Sequence, residues 1–478
     1  MDRKKIDSRN TGGTAGKEEN LLTEGGVLHV LLRFSVPFLI ANIIQALYGA
    51  VDLMVIGRYC APESVAAVST GTQVTQIITS IISGLTLGST ILVGKYTGMQ
   101  DEDQTRKTIG TTLTVFAGVA AILTVLVLWL AGPVLEVLKT PEASFSLARE
   151  YVTVCGYGIF FICGYNAISA ILRGYGDSRR PMLFVALSCI LNIIGDVLLV
   201  KYAGMGVRGV ALATILSQGV SMAVALIYLN RSNFIFKFTL ENLRIDRKKL
   251  AELQAVGIPI SLQECMVRLS FLYLTAMVNR LGVNAAAAVG IASKYDVFAM
   301  LPATSMANAL AAFTAQNYGA GKPGRVKSAL SAGLAFALVM ASLFFFWAQI
   351  SPQTMIGVFS SEEAIIREGI PFFRTCSYDY LAVTFVFCLN GYLNGRSKTI
   401  FTMISCSFGA LFLRMPLIYL ACRFLPENLG VIGAVAPTVS GIMAVYTLFY
   451  VIRQFRLDLR GGGSPPKAAC CGRLQKDS

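Results

Sequence analysis

The chain contains one histidine, His29, and two tryptophans in 478 residues, and only 14% of its residues are charged. A single histidine argues against a histidine-rich zinc site or a histidine-based triad. The eleven cysteines show no CxxC spacing, and most stand in apolar runs, where a thiol behaves as a small hydrophobe. Nucleophile elbows and phosphate loops are also missing, which argues against an enzyme. The shortage of charge excludes more. Soluble chains carry roughly 25% charged residues, and this one has too little polar material to coat a globule of its size.

Apolar sequence takes the place of charge. Hydrophobic residues make up 54% and the mean hydropathy is +0.62. Thr108–Leu135, Gly209–Asn230, Ser328–Ser361 and Asn428–Ile452 contain no charged residue. Each exceeds the roughly 18–20 residues that cross a hydrocarbon core as a helix. The pattern predicts twelve spans: 34–57, 66–94, 108–131, 149–171, 182–201, 207–229, 254–279, 286–313, 327–349, 368–392, 400–422 and 429–452. The expected fold is an all-α integral membrane protein. The polar, mixed-charge N-terminal arm does not resemble a cleavable signal.

The net charge of +14 follows topology and does not point to nucleic acid. The arm, the even-numbered connections and the tail hold most of the 41 Lys and Arg residues. The opposite connections hold few, among them Arg58, Arg208 and Arg280. Positive charge stays inside, so both termini are expected in the cytoplasm and the chain in the cell membrane. Cys470 and Cys471 fall in the tail, where they read as ordinary tail residues or, alternatively, as lipidation sites.

The chain repeats itself once, at a spacing of roughly 220 residues. SVPFL (35–39) matches GIPIS (257–261), KYTGMQD (95–101) matches QNYGAGK (316–322), and RGYGDSR (173–179) matches NGYLNGR (390–396). GVRGVALAT (206–214) matches GVIGAVAPT (430–438). Each half has six spans, so the halves run in the same direction, one of the plans of secondary transporters. The expected organisation is an arm (1–32), a first lobe (33–230), a cytoplasmic linker (231–249), a second lobe (250–455) and a tail (456–478).

Polar groups at membrane depth are costly and usually line a pathway. In the first span Asn42, Gln45 and Asp52 share a helix face. Asn192 and Asp196 share one in the fifth, and Thr214 follows a run of small residues in the sixth. Two carboxylates, an amide and a hydroxyl form an all-oxygen set suited to a hard cation or a proton. Burial disfavours a charged carboxylate and a second carboxylate disfavours it further, whereas a cation between them reverses both effects. The alternative, that each aspartate bonds a neighbouring helix, is weakened by the repeat. Asp52 aligns with Leu274 and Asp196 with Leu413, so packing alone does not demand a carboxylate. The second half carries Glu264, Arg268, Lys294, Asp296, Asp379 and Arg414. These charges are either internal pairs, with Glu264 or Asp379 as the expected partner of Arg414, or substrate contacts. The second span, TGTQVTQIITSIISG (70–84), is rich in hydroxyls and amides that either face water or bond other helices.

LTEGGVLHVLLRFSVPFLIANIIQALYGAVDLMVIGRY (22–59), RGYGDSRRPM (173–182) and LNIIGDVLLVKYAGMGVRGVALATILSQ (191–218) resemble multidrug and toxic-compound extrusion (MATE) transporters. The resemblance covers both halves. It implies two six-helix lobes forming a V around a central cavity, and export of amphipathic, often cationic, compounds against inward flow of Na⁺ or H⁺. It also implies a cation site at Asp52, Asn192, Asp196 and Thr214, joined by Tyr151 or Tyr157 of the fourth span. Glu264 and Asp379 stand in spans that serve some members. No cofactor is implied beyond the coupling ion, and a monomer is expected. The competing reading is a lipid-linked oligosaccharide flippase, for which Arg268, Lys294 and Arg414 would supply a basic cavity.

Overall fold

The structure is a computed structural model and describes residues 22–460 except 139, 233, 237–241, 361 and 427. The tail cysteines Cys470 and Cys471 lie outside the described residues, as do most of the arm and part of the linker. Among the described residues there is no strand.

The first half contains α1 (Val27–Tyr59), α2 (Pro62–Gly98), α3 (Glu102–Val137), α4 (Glu142–Tyr157), α5 (Ile159–Tyr175), α6 (Arg179–Asp196) and α7 (Gly206–Arg231). The second contains α8 (Arg247–Val278), α9 (Val283–Gly319), α10 (Pro323–Ile350), the short α11 (Pro352–Gly357), α12 (Glu363–Cys376), α13 (Tyr378–Gly395), α14 (Thr399–Phe408), α15 (Met415–Phe424) and α16 (Leu429–Arg460). Helices cover all twelve expected spans. Ten single helical runs are long and apolar enough to cross a membrane, and α4 with α5, bent by 47°, makes an eleventh. The twelfth is the matching pair α12 and α13. Its first half, α12, carries Glu363, Arg367, Glu368 and Arg374, which shortens its apolar run.

Local chemistry sets the ends. Asp101 caps α3 by accepting from Gln104 N at 3.0 Å, and Asp246 caps α8 by accepting from Lys248 N and Lys249 N. Each cap satisfies an amide that the first helical turn leaves without a partner. Both repeats also contain one π-helical turn inside a span. Val197–Tyr202 follows α6 directly, and Gly409–Arg414 joins α14 to α15.

The end of the bundle where α1 begins and α16 finishes is here the terminal end, and the opposite one the distal end. At the distal end each half has its own apolar core. One is built around Ile56, Phe116, Leu135 and Val152, the other around Ile356, Phe373, Val289 and Ile432. At the terminal end the halves join. Ile91 and Leu92 of α2 pack with Leu253, Val256 and Ile260 of α8 and Ala311 of α9. A Cβ on Gly88 would stand 2.7 Å from Gly257 Cα, so glycine lets these backbones touch. Ser261 Oγ donates to Ile81 O at 2.8 Å in the same seam. The result is the expected V, closed at the terminal end and open at the distal end.

The boundary between lobes does not fall where the repeat alone would put it. Leu31, Phe34 and Phe38 of α1 pack with Met306, Phe313 and Leu330 of the second half. Further along, Ala41 and Ile44 pack among first-half residues. The backbone before α1 is strapped to the second half too. Leu22 N donates to Gln316 Oε1 at 3.0 Å, Lys322 Nζ to Thr23 O at 3.0 Å, and Arg325 to Gly25 O at 2.7 Å.

Candidate ion-coupling site

Four first-half spans deliver polar groups to one level. Asp52 stands seven residues before the distal end of α1, Asp196 at the last α-helical position of α6, Thr214 eight residues into α7 and Tyr151 nine into α4. At 1.5 Å per residue all four lie roughly 10 Å below the distal end. Asp52, Asn192, Asp196 and Tyr151 are buried and Thr214 is half-buried.

The sequence-predicted residues therefore meet. The Asp52 carboxyl lies within electrostatic reach of Asp196 and Asn192. Yet Asp52 Oδ1, both Asp196 oxygens and both polar atoms of Asn192 close no well-formed hydrogen bond. Buried carboxylates and amides in folded proteins are nearly always paired, so five open atoms in one place mark a site with capacity for a ligand. The Thr214 hydroxyl donates to Val210 O at 3.0 Å, which leaves its lone pairs directed elsewhere. The π turn begins at the residue after Asp196. An extra residue per turn widens the ladder there and re-aims the side chains at its start, as π turns commonly do at functional sites.

Of the two tyrosines, the fold brings Tyr151 to the site and leaves Tyr157 exposed. Tyr151 OH lies 3.5 Å from Thr72 Oγ1 of the hydroxyl-rich second span. Two further groups join. Tyr48 sits one helical turn before Asp52, faces Thr214, and its buried hydroxyl closes no hydrogen bond. Cys155 sits one turn after Tyr151, against both tyrosines. Helical spacing from the two named residues was the available signal for both.

The face expected to hold Asn42, Gln45 and Asp52 together is divided. Asn42 Nδ2 donates to Ser305 Oγ of α9 at 2.9 Å, Gln45 is exposed, and Asp52 turns into the first lobe. The division follows from α1 leaving the second half and entering the first along its length.

The second-lobe charges form a separate cluster. Tyr380 OH donates to Asp296 Oδ1 at 3.0 Å, Asp379 is buried with Oδ1 unpaired, and Arg414 faces both carboxyls. The Arg414 guanidinium also stacks 4.1 Å from the Phe271 ring centre. Asp296, Cys376 and Arg414 border a cavity of about 10 Å³, the space of about one water. Glu264 is not part of this cluster. Its charged neighbour is Arg268, one turn along α8.

The sequence profile of the family described as MatE matches residues 37–198 and 259–420, more than half of the chain and one match per repeat. A probable multidrug resistance protein of Bacillus subtilis, YoeA, is 28% identical over 337 residues, 69% of this chain and 73% of that one. The FAD transporter of Shewanella oneidensis is 26% identical over 399 residues, 81% of this chain and 87% of that one. A solved structure of a MATE in its bent conformation superposes with a TM-score of 0.86 at 22% identity, covering 93% of this chain and 98% of that one.

Proposed function

We propose that this chain, which belongs to the MATE family, is a secondary antiporter that exports amphipathic organic compounds in exchange for Na⁺ or H⁺. Family membership makes it a multi-pass membrane transport protein and not an enzyme. The finer reading rests on one observation. Asp52, Asn192 and Asp196 are buried side by side with five polar atoms unpaired. An all-oxygen set of this composition suits a hard cation. A proton would use the same carboxyl oxygens, so the two ions would compete.

The coupling follows from the position of the set. It spans α1, α6 and α7, and α1 is also the helix whose first turns pack on the second lobe. A bound ion offsets one of the two carboxylate charges, bridges the pair and draws α1 toward α6. An empty pair repels or takes in water. The ion can bias the two access states only by its difference in binding between them, and α1 is placed to sense that difference. The relatives include proteins called multidrug and FAD transporters, so they leave the sign of the substrate's charge open.

Efflux from proteoliposomes with Na⁺ and proton gradients imposed separately tests the reading. Asp52→Asn and Asp196→Asn should each abolish gradient-driven efflux with folded yield retained. Asn192→Ala and Thr214→Ala should raise the half-saturating ion concentration about tenfold or less, each removing one neutral ligand. Wild-type ion dependence in both aspartate variants would leave those carboxyls structural and move the coupling site to Asp296 and Asp379.

A further inference from the structure

The walls of the V above the closed seam carry a charge pattern of their own. On α8 the seam residues are Gly257 and Ser261, which meet α2. Steps of three and four along that face lead to Glu264 and Arg268. On α9 the contact with α1 is Ser305, bound by Asn42. The same steps toward the distal end lead through Leu301 and Phe298 to Lys294. On α2 the seam leads from Gly84 through Ile77 to Gln73. Arg268, Lys294 and Gln73 are exposed, and Glu264 is half-buried.

These residues share a depth. Arg268 is ten residues below the distal end of α8, and Lys294 and Gln73 are eleven below those of α9 and α2. At 1.5 Å per residue each lies about 15 Å inside the distal rim. An exposed cation at that depth is tolerated only where it meets water or an anion. A second exposed stripe of α8, turned about a quarter-turn away, is apolar and made of Ile258, Leu262 and Leu269. Among the described residues no salt bridge engages Arg268 or Lys294. Glu264 neighbours Arg268 and offsets one of the two charges. The opposing α1 and α2 faces offer neutral amides, Gln45 and Gln73, and no carboxylate. Asp52 and Asp196 are buried inside the first lobe and do not reach this surface.

We propose that the cleft selects amphipathic organic anions, with the acidic group seated between Arg268 and Lys294 and the apolar body against the Ile77 and Phe298 side of the walls. The inference rests on the exporter reading and departs from the cationic substrates that the resemblance implies. A carboxylate or phosphate finds Lys294 with no salt bridge and Arg268 with one carboxylate beside it, a net positive charge, whereas an organic cation meets like charge with a single, partly neutralised carboxylate to compensate.

Two xanthene dyes of opposite charge test it, fluorescein as the anion and rhodamine 6G as the cation. Their binding to the purified full chain in nanodiscs, with no ion gradient, is read by fluorescence anisotropy. Fluorescein should bind at least about tenfold more tightly than rhodamine 6G, and added salt should weaken it. Arg268→Gln and Lys294→Gln should each weaken fluorescein binding about tenfold, and Arg268→Lys should retain most of it. Arg106→Gln, at the terminal end, should change nothing. Preference of the wild type for rhodamine 6G, which needs no variant to observe, would overturn the proposal. So would fluorescein binding indifferent to both glutamine variants. Ion-coupled efflux of rhodamine 6G alone would remove the anion proposal and leave the exporter reading standing. Loss of coupling in the aspartate variants bears on neither dye's binding preference.

Discussion

Tyr48 shows how a single hydroxyl joins a site that its neighbours define. It lies one turn before Asp52, half-buried, with its hydroxyl oxygen shielded from solvent and facing Thr214 without closing a well-formed hydrogen bond. If it serves as an ion ligand, Tyr48→Phe should raise the half-saturating ion concentration by about 3- to 10-fold. Maximal efflux should stay near wild type, and an unchanged ion titration would assign the hydroxyl to packing. Arg414 makes the opposite kind of case, a charge held by charges. It faces Asp296 and Asp379 inside the second lobe, whereas the sequence had offered Glu264 or Asp379. Arg414→Met leaves two carboxyls facing each other, and breaking such a buried group costs about 3–5 kcal/mol. The thermal midpoint should fall sharply, and a second change, Asp379→Asn, should recover part of the loss. A single variant as stable as wild type would show that water in the adjoining cavity already screens the pair. The aspartates of the first lobe were legible because a carboxylate in an apolar run has few reasons to exist. Asp296 was visible as a charge but not as a partner of Arg414. That pairing depends on how α9 is rotated toward the π turn between α14 and α15, which side-chain pattern at one helix does not fix.

At the scale of elements, the apolar runs located every span, because length and lack of charge are what the bilayer demands. The π turns at Val197–Tyr202 and Gly409–Arg414 left no such trace. A π turn changes the hydrogen-bond ladder without changing composition. Its recurrence in the fifth span of each half is the part of the repeat that survives where the carboxylates do not. The seam between α2 and α8 was likewise hidden, since a glycine in an apolar run reads the same whether it faces lipid or another backbone. Gly88 and Gly257 are in contact there. Gly88→Leu would force the two helices apart at the closed end. Folded yield should remain within about twofold of wild type, because each lobe keeps its own distal core, while transport should fall more than about tenfold. Transport at the wild-type rate would mean that the seam opens and closes around a different axis.

For the whole molecule, the charge asymmetry of the connections sets an orientation that labelling can check. Cys60, at the turn between α1 and α2, belongs to the distal end, expected outside. An impermeant maleimide on intact cells should label it, and a Cys60→Ser variant should lose that label. Partial burial raises the thiol above its ordinary range. The reactive form is the thiolate, so labelling should be slow at neutral pH and quicken as pH rises. Label absent from intact cells and gained on permeabilisation would invert the topology. Parallel halves and two lobes were readable from the repeat, as the spans were from the apolar runs. The crossing of α1 from one lobe to the other was not, because repeat matching assigns a segment to the half whose sequence it shares and is blind to what it packs against. That crossing sets an order of assembly. Leu22 finds Gln316, and Leu31 and Phe34 find Phe313 and Leu330, partners from the far side of the chain. α1 therefore waits in the bilayer half-clothed until α9 and α10 are made. The transporter can become sealed at its terminal end only after α10 has emerged, so a chain interrupted before that point holds the assembled Asp52, Asn192 and Asp196 cluster beside an open terminal end.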